Sequence, residues 1–135
     1  YDPDDIQLLC YKSRRINMLP RELAKIAVEA LQDKKAGDIR VINISNVSSM
    51  GDYFIIADGT NSNQVQAMCD NVEEFMHRAG AKLKNREGYS NGGWILLDYY
   101  DIIIHIFREE DRSFYDLEHI WRDGEIIPVS EGMKL

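Results

Sequence analysis

The chain has 135 residues, 44% of them hydrophobic and 29% charged, which is ordinary for one soluble globular domain and long enough to bury a core. A formal net charge of -7 and a pI near 4.9 exclude a protein whose affinity comes from neutralising phosphates with clustered Lys and Arg, so no primary nucleic-acid binding is expected. No apolar run approaches the roughly 20 residues that span a bilayer, and no signal-peptide pattern opens the sequence. Cys10 and Cys69 are too few for a disulfide framework and lack metal-type spacing. The expectation is therefore a cytoplasmic protein with no membrane association.

Residues 1–17 show no sustained periodicity and are read as an extension to which no function is assigned. The first element is a helix from Pro20, a residue favoured at the first helical position. Leu19, Leu23, Ile26, Ala27, Ala30 and Leu31 keep the helical period, and Gly37 is expected to stop it. A strand follows over Ile39–Ser45, then a polar turn over Asn46–Asp52. The unbroken apolar run Tyr53–Ala57, ending at Asp58-Gly59, suits a central strand covered on both faces.

Thr60, Asn61 or Ser62 can cap a second helix, with Gln64 three residues after Asn61 in a capping-box arrangement. Val65, Met68, Cys69, Val72, Phe75, Met76 and Ala79 form its apolar stripe, and Gly80 ends it. Lys82–Lys84 is expected to be a short edge strand, and Arg86–Gly93 a loop rich in Gly and Asn. Two apolar runs, Trp94–Leu97 and Ile102–Phe107, are joined by Asp98-Tyr99-Tyr100-Asp101 and read as a β-hairpin. A third helix, entered from Glu109-Glu110-Asp111, carries Phe114, Leu117, Ile120 and Trp121 as its stripe. The order predicts an α/β domain over residues 18–125, with helices packed on a mixed sheet of about five strands. Residues 126–135, broken by Pro128 and Gly132, read as a loosely held tail.

Charge is distributed unevenly along this order. Ten Asp or Glu and only three Arg lie between Glu87 and Glu125, so that segment carries the whole net charge. Alternation along its first strand puts Trp94, Leu96 and Asp98 on one face and Ile95 and Leu97 on the other. With Ile95 and Leu97 toward the core, the opposite face offers an aromatic, an aliphatic and an acid. Such a face is either covered by a helix or serves as an interface, where Trp anchors and charges steer.

Catalysis finds less support. Two metal-holding acids on one strand should be two residues apart, whereas Asp98 and Asp101 are three apart across a turn. His77, His105 and His119 have no second ligand at metal spacing. His105, flanked by Ile104 and Ile106, reads as a structural residue whose ring finds a hydrogen-bond partner. No Gly-rich phosphate loop or nucleophile signature is present, so neither cofactor nor metal is expected.

Several of these residues recur in a known pattern: Glu87-Gly88, Trp94 to Asp98, Asp101 to Phe107, then Arg112, Tyr115, Leu117, Glu118 and Trp121. With these gaps the chain resembles the ribosomal silencing factor (RsfS, Iojap-like) family from about Leu19 onward. The resemblance implies a sheet with nucleotidyltransferase-like topology but without the catalytic residues. It also implies a translation repressor that is not an enzyme. Such a protein binds the large ribosomal subunit at its protein fourteen and sterically blocks joining of the small subunit. Carried over by position, the patch centres on Trp94, Leu96, Asp98 and Tyr99, with Asp101 and Glu87 as acidic contributors and Tyr115 and Glu118 as second-line residues. An acidic surface fits a basic ribosomal protein. A nucleotide-dependent transferase and a homo-oligomeric interaction module with no ribosomal role remain alternatives, and the same patch could form a homodimer off the ribosome. One departure stands out: the family usually has Gly in the hairpin turn where this chain has Tyr100, so either the turn geometry differs or Tyr100 is strained.

Overall fold

The computed structural model describes residues 19–45, 51–114 and 125–127. Helix α1 (Pro20–Asp33) opens with Pro at its first turn, and the Glu22 carboxylate accepts the Leu19 N–H at 3.1 Å, satisfying an amide the helix leaves open. It ends before the expected stop. Lys35 takes the left-handed turn at φ 59°, with Ala36 N–H bonded to Leu31 O, so Gly37 opens the next strand instead. A Cβ there would lie 2.4 Å from Asp58 Oδ1, so any other residue would require that carboxylate to move. Helix α2 (Ser62–Arg78) is capped as its sequence suggests. Asn61 Oδ1 accepts Gln64 N–H at 2.8 Å, and Gln64 Oε1 accepts Thr60 N–H at 2.7 Å.

Six strands make one mixed sheet: β1 (Gly37–Asn43), β2 (Tyr53–Gly59), β3 (Asn85–Glu87), β4 (Trp94–Asp98), β5 (Ile102–Arg108) and β6 (Glu125–Ile127), in the spatial order β3-β4-β5-β2-β1-β6. Only β2 and β5 pair in parallel, and they form the centre. Both faces of this pair are apolar. Ile55, Ala57, Ile102, Ile104 and Ile106 pack under the two helices, while Phe54, Ile56, Ile103 and Phe107 build a second, smaller cluster with Ile42 and Ile44 on the other face. Each such fully buried aliphatic side chain contributes about 1.5–3 kcal/mol. The buried amide of Asn71 ties the helices together, donating to Ala30 O at 2.8 Å and to Asp33 Oδ2 at 3.1 Å.

Three sequence expectations change. The edge strand is Asn85–Glu87, not Lys82–Lys84, because the turn closing α2, with Ala81 N–H on Met76 O, brings the chain alongside β4 only at Lys84. Glu109–Phe114 is a 3-10 helix rather than the first turns of an α-helix. Arg108 reaches Asp111 three residues ahead, the spacing that this tighter helix favours. The stripe residues Leu117, Ile120 and Trp121 lie outside the described residues. Finally, Ile126 and Ile127, expected in a loose tail, pair antiparallel with Ile42 and Val41, and Ile127 joins the helix-side core. With that strand the mixed sheet of about five expected strands has six members among the described residues.

The central position of β5 is testable. Truncating Ile104 to Ala should cost about 2–5 kcal/mol in urea unfolding, and a loss below about 1 kcal/mol would contradict its place between β2 and β4.

Candidate binding face

Cross-strand pairing decides which side chains share the face away from the helices. Glu87 is opposite Leu96 and Leu96 opposite His105; Asn85 is opposite Asp98 and Asp98 opposite Ile103; Trp94 is opposite Phe107. Glu87, Leu96, Asp98 and Trp94 therefore stand together on one face, while Ile95 and Leu97 are fully buried on the other. Trp94 and Leu96 are half-buried against the smaller apolar cluster, and Glu87 is exposed at the sheet edge.

Gly88 allows this edge to form. Its φ is 80°, and a Cβ would fall 2.0 Å from the Trp94 carbonyl oxygen, so only glycine lets the loop fold back onto the start of β4. The loop then closes with Gly92 N–H on Gly88 O and Arg108 N–H on Gly93 O, which fixes Trp94 at the mouth of the hairpin.

Trp94 does not lie loosely on the sheet. Its indole Nε1–H donates to His105 Nδ1 at 3.0 Å, and its ring stacks on Phe107 with centroids 5.4 Å apart. Phe54 closes on the imidazole from the other side at 4.4 Å. With Nδ1 accepting, the neutral ring carries its proton on Nε2, and that buried N–H has no hydrogen-bond partner among the described residues. Burial holds the His105 pKa down to about 4, so the acceptor persists at neutral pH. The sequence reading gave His105 a hydrogen-bond partner but not this one. The signal was available: a two-residue loop at Tyr100-Asp101 places His105 diagonal to Trp94 on the same face.

Tyr99, expected in the patch, belongs to the core. Its N–H bonds Ile102 O, its side chain continues the parity of Ile95 and Leu97, and it is only 3% exposed among the residues under the helices. The next residue makes the turn. Tyr100 has φ 71°, and Asp101 N–H bonds Tyr99 O at 2.9 Å, the marks of the rare γ-turn with positive φ. Asp98 Oδ1 accepts Tyr100 N–H at 2.8 Å. The Tyr100 backbone is therefore strained, which resolves the question raised by its replacement of glycine. Asp98 is the last residue of β4 and Asp101 lies in the turn before β5. Tyr115, Glu118 and His119 lie outside the described residues.

Among the described residues, one group has metal-ligand chemistry, Cys69, Asp70 and Glu73, with ligand atoms within 4.8 Å of one another. Its members are already engaged. Tyr89 OH donates to Asp70 at 3.0 Å, Arg86 holds Glu73 at 3.1 Å, and burial pushes the Cys69 thiol up to about 12, which keeps it protonated. Among the described residues, no helix is long and apolar enough to cross a membrane.

Fold and face together define a small α/β protein whose mixed sheet is covered by helices on one side and carries an aromatic and acidic patch at the edge of the other. The family profile described as "Ribosomal silencing factor during starvation" matches residues 18–134. The chain is 34% identical over 116 residues to ribosomal silencing factor RsfS of Bacillus subtilis, covering 86% of this chain and 98% of that protein. It is 41% identical to RsfS of Zymomonas mobilis over 116 residues, 84% of this chain and 87% of the relative. A crystal structure of a Chromobacterium violaceum protein superposes with a TM-score of 0.75 at 33% identity, covering 78% of this chain and 88% of the other. The chain belongs to the ribosomal silencing factor (RsfS) family.

The buried imidazole sets a pH dependence. Unfolded His105 takes up a proton near its ordinary pKa of 6.5, whereas the folded ring resists until about 4, so stability falls as pH drops through that window, by up to about 3 kcal/mol. His105→Asn keeps an acceptor but does not titrate. Urea unfolding at both ends of the window should show a smaller acid loss for the variant, and equal losses would refute the assignment.

Proposed function

We propose that the protein silences ribosomes by binding the large subunit through its protein fourteen and occluding the surface that the small subunit must meet. The observation that carries this reading is the juxtaposition of half-buried Trp94 and Leu96 with Glu87 and Asp98 on the sheet face opposite the helices. An aromatic anchor held by a buried hydrogen bond is pre-organised, so less order has to be imposed when a partner docks. Acids at the rim steer toward a basic protein and repel exposed rRNA phosphates. Membership of a family whose relatives are named as silencing factors supports the same reading. Occlusion requires stable occupancy and no turnover, so the proposed protein is a cytoplasmic regulator and not an enzyme. The same apolar patch favours a homodimer off the ribosome, which large-subunit binding would then dissociate.

Leu96 tests the face better than Trp94, because Leu96 makes no side-chain hydrogen bond whose loss would confuse folding with binding. In co-sedimentation with purified large ribosomal subunits, Leu96→Glu should bind at least about tenfold more weakly, equivalent to about 1.4 kcal/mol, while melting cooperatively. Wild-type affinity in the folded variant would move the interface off β4. Light scattering that shows a dimer persisting on the subunit would refute a shared patch.

A further inference from the structure

Three non-glycine residues among those described have positive φ: Lys35, Asp38 and Tyr100. Lys35 ends α1, and Asp is a residue type that tolerates this region, but a tyrosine there carries the full steric cost of its Cβ. Glycine would remove that cost. Tyr100 is 36% exposed, one of two exposed large hydrophobics among the described residues. It sits at the hairpin tip, where its backbone N–H donates to Asp98 Oδ1. The Lys84 ammonium lies 5.5 Å from its ring centroid, so the ring already attracts a cation. A strained, exposed aromatic that already holds a cation is a recognition element rather than a packing element.

We propose that the Tyr100 ring extends the binding face beyond Trp94 and Leu96 and receives an arginine side chain from a basic protein surface. This deepens the ribosomal reading and rests on it. A planar guanidinium suits the site better than the resident ammonium. It stacks on an aromatic face and sheds water more readily. The tip thus gives up backbone comfort to present a cation-binding ring at the rim.

The test compares wild type, Tyr100→Gly and Tyr100→Phe, each by thermal melting and by co-sedimentation with purified large ribosomal subunits. The glycine variant should melt higher, by about 3 °C, and yet bind at least about fivefold more weakly. Opposite signs in the two measurements separate a contact residue from a structural one. Tyr100→Phe, which keeps the ring, should bind within about twofold of wild type. A glycine variant that binds normally overturns the proposal and leaves the ribosomal reading intact. A glycine variant that melts lower overturns the strain argument, and a phenylalanine variant as weak as glycine overturns stacking on the ring. Absence of wild-type binding refutes the ribosomal reading, and this proposal with it.

Discussion

The parallel pairing of β2 with β5 is the constraint on which the rest of the molecule depends. Parallel neighbours cannot be joined by a tight turn, so the chain between them must make a long crossover, here α2 followed by β3 and β4. That path lays α2 across one face and returns β4 antiparallel to β5 at the sheet's flank. A strand in that position is packed on one side and accessible at the edge of the other, which is the situation of Trp94 and Leu96. The proposed binding face follows from how the central pair is connected.

Within that face, one hydrogen bond exchanges stability for order. Among the described residues the buried His105 Nε2–H has no partner, an omission that typically costs about 1–3 kcal/mol. In return the imidazole gives the Trp94 indole an acceptor at 3.0 Å and limits how the ring can turn on the sheet. A neutral acceptor does this without adding charge beneath an acidic surface.

Much of the fold was legible because hydrophobic period reports burial directly. The stripe of α2, its Asn61 and Gln64 cap, the two-sided core of β2 and the opposed parities of Trp94 and Ile95 are all local patterns. What sequence reasoning missed was set by distant partners. Ile126 and Ile127 look like tail residues until β1 is seen to lack an outer neighbour. Tyr99 looks like a turn residue, yet its pairing with Ile102 extends the ladder one step and turns the ring inward. The edge strand was misplaced by a few residues because the turn after α2, not the composition of Lys82–Lys84, determines where the chain meets β4. Family resemblance placed the patch, and pairing register alone removed one member from it.

The pairing of β6 with β1 also bears on how the protein is made. β1 is synthesised early and β6, which covers its outer edge, well after it, so during translation that edge presents unpaired amides and carbonyls to its surroundings. Such an edge is a template for strand addition by another nascent chain. Native topology therefore creates a window of aggregation risk that closes only when β6 emerges, and C-terminal truncation before Glu125 would leave that window open.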